Sequence, residues 1–97
     1  MVQRVELTRE SAETVAIHVL SFLSEEPDRL GRFLAVTGIE IDSLRDAARE
    51  PNFLLGVLDY LAADEPLLRQ FAGGADIPPE VISRARDFLA GMPPTTA

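Results

Sequence analysis

The chain contains no cysteine, no tryptophan and no lysine. Without cysteine there can be no disulfide, no thiolate metal site and no cysteine nucleophile. Aromatic residues make up only 6% of the 97 positions, so aliphatic side chains must fill the core. All the basic residues are arginines, and their nine charges against sixteen carboxylates leave a net charge of −7. Nucleic acids and anionic membranes both select cationic contact surfaces, so neither is an expected partner. No apolar run approaches the roughly 18 residues that span a bilayer. The opening MVQRVELTRESAE also lacks the basic-then-apolar plan of a secretory signal. A cytoplasmic chain is expected.

What is present fits one small helical domain. Hydrophobic residues reach 46%, enough for a single core in a chain of this length. Thr8 is an expected N-cap for a helix to about Leu23, with Ala12, Val15, Ala16, Val19, Leu20 and Leu23 in an amphipathic stripe. Pro27 suits the first turn of a second helix carrying Leu30, Phe33 and Leu34, and Gly38 closes it. Asp42 is expected to cap a short third helix to about Arg49. Pro51 opens a fourth, the most apolar and so the central one. Asp64 caps a fifth, stopped at AGGAD. The segment IPPEVISRARDFLAG gives a sixth, with Val81, Ala85, Phe88 and Leu89 as candidate core positions. No stretch shows sustained period-two alternation. The fold class is all-α, a compact bundle of five to six short helices. The domain spans 8–91, with a loose arm at 1–7 and a disordered tail at 92–97.

Shifting the chain on itself by 38 residues brings VLSFLSEEPDRLGRFLAVTGIEIDSLRDA onto VLDYLAADEPLLRQFAGGADIPPEVISRA. Val19, Leu20, Leu23, Leu30, Phe33, Ile39 and Ala47 meet Val57, Leu58, Leu61, Leu68, Phe71, Ile77 and Ala85. Phe22 meets Tyr60, and Leu44 meets Ile82. The matches fall on core positions and mostly not on charges. Two three-helix units in tandem are expected, 12–49 and 50–87, with the first and fourth helices packed together and an approximate internal two-fold.

No motif argues for catalysis or metal binding. The stretch FLAVTGIEIDSLRDAA, 33–48, has the helix–glycine–helix spacing of a helix-turn-helix, but its second helix offers Asp42, Arg45, Asp46, Arg49 and Glu50, net acidic and without a basic flank. Its spacing is expected to serve packing, with a DNA-associated regulator as the alternative. His18, the single histidine, has no ligand partner at helical spacing and is expected on a partly exposed helix face. The acidic runs SEEPD and ADEP sit where carboxylates favour a helix N-terminus. AGGAD lacks the lysine and glycine spacing of a phosphate loop. No cofactor or metal is expected, and the chain reads as non-enzymatic. Ile17, Leu55 and Tyr60 broaden already apolar helices. The core is expected to cover them, and left uncovered they would make a partner patch.

Residues 31–72, GRFLAVTGIEIDSLRDAAREPNFLLGVLDYLAADEPLLRQFA, are similar to a family of small alphaproteobacterial proteins known only as a domain of unknown function. The resemblance rests on Arg32, Phe33, Leu34, Thr37, Gly38, Leu44, Arg45, Phe53, Leu54, Leu58, Asp59, Tyr60, Leu61, Asp64, Glu65, Leu67 and Leu68. It extends from about Glu13 to about Ala90. It implies no activity, cofactor or catalytic residue. Its polar members Arg32, Thr37, Arg45, Asp59, Asp64 and Glu65 are the candidates for a partner-binding face, and caps and ion pairs at helix ends are the competing expectation. The functional expectation is an interaction adaptor or regulator with an unidentified protein partner, monomeric or homodimeric. A small-ligand-binding helical domain is a further alternative.

Overall fold

The computed structural model describes residues 7–91, which form six α-helices and one 3-10 turn, with no strand among them. The helices are α1 (Arg9–Ser24), α2 (Pro27–Thr37), α3 (Leu44–Ala47), α4 (Pro51–Ala62), α5 (Glu65–Ala75) and α6 (Pro79–Ala90), and the 3-10 turn Ile41–Ser43 leads into α3. The expected tail at 92–97 lies outside the described residues, as does the arm apart from Leu7, which packs against the core.

Local chemistry sets most of the boundaries. Thr8 Oγ1 accepts from the Ser11 N–H at 3.1 Å, and Ser11 Oγ accepts from the Thr8 N–H at 2.7 Å, a reciprocal cap that opens α1. Pro27, Pro51, Pro66 and Pro79 stand in the first turns of α2, α4, α5 and α6, where a missing amide hydrogen costs nothing. Gly38 adopts φ 76° and donates to Leu34 O, ending α2. Asp64 Oδ1 accepts from the Leu67 N–H at 3.2 Å and caps α5.

Two boundaries differ from expectation. Asp42 does not cap α3: the chain already turns at Ile41, with Ser43 N–H bonded to Glu40 O, so Asp42 lies inside the 3-10 turn. Only the single turn Leu44–Ala47 follows as α-helix, so the helix-turn-helix-like stretch ends in one turn rather than a full second helix. The glycine pair does not stop α5 either. The helix runs through Gly73 and Gly74 and ends at Asp76, which takes φ 59° and donates to Ala72 O. Aspartate is among the few residues besides glycine that tolerate this left-handed conformation.

The core is a triple of α1, α4 and α6, each packed on the other two, with α2 lying on α1 and α5 on α4 and α6. Packing of the first helix on the fourth was expected from the repeat and is present. α1 buries Ala12, Ala16, Val19, Leu20 and Leu23, and α4 buries Leu54, Val57, Leu58 and Leu61. α6 buries Ile82, Ala85 and Leu89, while Val81 and Phe88 are half-buried at the margin. The two peripheral helices each bury one side chain, Phe33 from α2 and Phe71 from α5. All of these buried side chains are apolar. Each fully buried phenylalanine contributes on the order of 2–3 kcal/mol by removal from water.

Phe33 and Phe71 occupy matching places in the 38-residue alignment, and so do Phe22 and Tyr60. The Phe22 ring meets Phe71 edge-on at 5.4 Å, and the Tyr60 ring meets Phe33 edge-on at 5.1 Å. Each unit thus places the aromatic of its first helix against the anchoring phenylalanine of the other. The third helices break this reciprocity. α6 has twelve residues and packs across α1 and α4, whereas its counterpart α3 has four and buries none. An internal two-fold for the whole domain is not shown.

Candidate functional site

The shortness of α3 leaves one side of α1 incompletely covered. A groove of about 640 Å³ runs there, walled by Ile17, Leu20, Ser21 and Ser24 of α1 and by Ile41, Leu44, Arg45 and Ala48 of the opposite segment. It continues past Ile17, Ser21 and Ala48 into a second depression of about 310 Å³ that reaches Glu10, Glu13, Thr14, His18 and Leu54. The α1 wall is a stripe at helical spacing, 10, 13, 14, 17, 21, 24, lying beside the buried stripe of the same helix.

The middle of this trough is apolar and partly wet. Ile17 is 39% exposed and Ile41 61% exposed, and with Val36 at 68% they are the large hydrophobic side chains that the described residues leave exposed. Two hydroxyls along the wall, those of Thr14 and Ser24, are turned back on the helix. Thr14 Oγ1 donates to Glu10 O and Ser24 Oγ to Leu20 O, each at 2.9 Å. Charge collects at the ends. Glu10 and Glu13 stand at one end and Glu25 at the other, with Arg45 on the facing wall. Glu13 is paired with Arg9 at 3.2 Å, and among the described residues Glu10 and Glu25 have no ion-pair partner.

A model of a family of proteins of unknown function, DUF3572, matches residues 9–92. The chain belongs to the DUF3572 family. The matched span includes all six helices, and therefore both walls of the groove. No curated protein and no solved structure matches the chain.

The six polar residues singled out in this DUF3572 chain do not gather on one face. Arg32 and Asp64 come together in a separate cleft of about 280 Å³ between α2, α4 and α5, which Tyr60 and Arg29 also line. Asp64 is engaged there as the α5 cap. Arg45 lines the α1–α3 groove instead. Thr37 Oγ1 donates to Phe33 O at 2.9 Å and accepts from the Ile39 N–H, closing α2. Glu65 pairs with Arg69 at 3.2 Å along α5. Asp59 is joined to Arg86 of α6, and the hydrogen bond and charge of Asp59 hold the Arg86 guanidinium above its ordinary pKa. Four of the six therefore act at helix ends or in ion pairs.

Ile17 and Tyr60 divide between the two outcomes anticipated for them. Ile17 is exposed in the groove, while Leu55 and Tyr60 are half-buried against the core. The sequence reading missed Ile41 as a groove residue. Ile41 had no local signature: residues two apart in extended chain share a side, and it is the 3-10 turn beginning at Ile41 that parts it from Ile39. Ile39 is half-buried and Ile41 exposed. It also missed Arg29, whose guanidinium lies 4.0 Å from the Phe22 ring centroid and donates to Phe22 O at 2.9 Å. That contact ties α2 to the end of α1.

Proposed function

We propose that this DUF3572 protein is a cytoplasmic, non-enzymatic interaction module, an adaptor or regulator that binds another protein through the α1–α3 groove. The observation that carries the reading is the trough itself, with Ile17 and Ile41 exposed on opposite walls of one continuous depression. Apolar side chains that share a rimmed surface depression mark interaction sites far more often than isolated ones do. No helix among the described residues is long and apolar enough to cross a membrane. The depression is open along its side, a shape that suits a protein segment better than an enclosed small molecule. A DNA-reading role draws less support, because α3 is a single turn that itself carries Asp46 and follows Glu40 and Asp42, and offers little to enter a major groove.

Affinity capture from the native cell lysate tests the reading, with the wild-type chain and with Ile41→Glu side by side, each with and without nuclease. Ile41 is 61% exposed, so the substitution is expected to change stability by no more than about 0.5 kcal/mol. The expected result is a stoichiometric, nuclease-resistant protein retained by the wild type and lost by Ile41→Glu. Capture that vanishes with nuclease, or that Ile41→Glu leaves intact, contradicts it.

A further inference from the structure

We propose that the α1–α3 groove receives an amphipathic helix with basic edges, contributed by the partner protein. This rests on the interaction-module reading above and states the chemistry of the segment that binds.

The length fits a helix. The α1 wall extends from Glu10 to Glu25. At about 1.5 Å per residue that is a trough of about 22 Å, about four turns of a second helix. The chain itself shows how such a place is filled. On another side of α1, the twelve-residue α6 lies across α1 and α4 and inserts Ile82, Ala85 and Leu89, an i, i+3, i+7 set of anchors. The segment of the first unit aligned with α6 is the 3-10 turn and α3, where Leu44 stands in place of Ile82 and is only half-buried. The first unit supplies a 3-10 turn and one turn of α-helix where the second supplies three turns of α-helix, and the uncovered α1 stripe is the length of surface left over. Helix-in-groove recognition uses such a stripe with i, i+3, i+7 anchors.

Charge then selects among helices. The ends of the trough carry Glu10 and Glu25, which have no ion-pair partner among the described residues, with Arg45 on the facing wall and Glu13 already paired with Arg9, on a chain of net charge −7. Arginine or lysine on the edges of the incoming helix meets these carboxylates. A second copy of this chain brings a like-charged rim and is disfavoured.

The test is a backbone-amide NMR titration of the intact chain with three synthetic peptides of about fourteen residues, matching the trough length. One has leucine anchors at i, i+3, i+7 and arginine edges. Its twin has glutamates for the arginines. The third has the basic composition with scrambled order. The expected result is shifts concentrated at Ile17, Ser21 and Leu44, with the basic amphipathic peptide binding about tenfold or more tightly than either control. That advantage should shrink several-fold as salt rises to about 0.5 M, and should fall by about fivefold in the double variant Glu10→Gln, Glu25→Gln. Equal binding by the glutamate twin overturns the basic-helix proposal and leaves the module reading standing. Equal binding by the scrambled peptide overturns the helical one. Groove amides that shift with protein concentration alone place a second copy there, and also overturn it. If no peptide shifts the groove while Ile41→Glu still abolishes capture, only the helix proposal fails. If Ile41→Glu leaves capture intact as well, both fail.

Discussion

The Tyr60 ring stands edge-on to Phe33, centroids 5.1 Å apart and planes at 81°. This contact links α4 to the single buried side chain of α2, and Phe22 against Phe71 does the equivalent work for α5. Edge-to-face pairs add about 0.5–1.5 kcal/mol beyond the area they bury. A double-mutant cycle with Phe33→Leu and Tyr60→Leu, read by urea unfolding, should give a coupling in that range, and the Phe22/Phe71 cycle should give a similar one. Phe33→Ala and Phe71→Ala should each cost about 3–5 kcal/mol, since each removes the one buried anchor of its helix.

Gly73 and Gly74 are exposed helical positions where an added Cβ meets nothing within 4 Å. Each glycine then carries only the entropic cost of its freedom in the unfolded chain. Gly73→Ala and Gly74→Ala should each stabilise the fold by about 0.4–1 kcal/mol, seen as a raised unfolding midpoint with an unchanged denaturant slope. Gly38→Ala should do the opposite, because φ 76° is strained for any residue with a Cβ.

The reciprocal Thr8–Ser11 cap satisfies amides that α1 would otherwise leave open. Thr8→Ala should cost about 1 kcal/mol, and hydrogen exchange in the first turn of α1 should speed up while the amides around Val19 stay protected.

Much of the fold was legible because it is written in short-range chemistry. Thr8, Pro27, Gly38, Pro51 and Asp64 mark helix ends through caps and fixed backbone angles, and the α1 stripe follows from spacing alone. The errors fall where a choice is made by distant partners. The α6 core stripe is Ile82, Ala85 and Leu89 with Phe88 packed against it, rather than one that takes in Val81 and leaves out Ile82. A one-residue shift turns a helix by only about 100°, and contact with both α1 and α4 decides which face is inward. The end of α5 was misplaced because two exposed glycines weaken a helix without stopping it, and Asp76 supplies the left-handed residue that does. The Asp59–Arg86 pair bridges 27 residues of chain and has no local signature. The groove was hidden for the same reason. Ile17 was recognisable as a surplus apolar residue, but its exposure depends on α3 being one turn long and on where Ile41 lands across from it.

The central claim is that the α1–α3 groove is the partner-binding surface. Its most direct test places a photocrosslinking amino acid at Ile41 and, in a second variant, at exposed Arg84 on α6, with irradiation in native lysate. The account predicts one dominant protein adduct from position 41 and none from position 84. Equal adducts from both positions, or an adduct from position 84 alone, would contradict it.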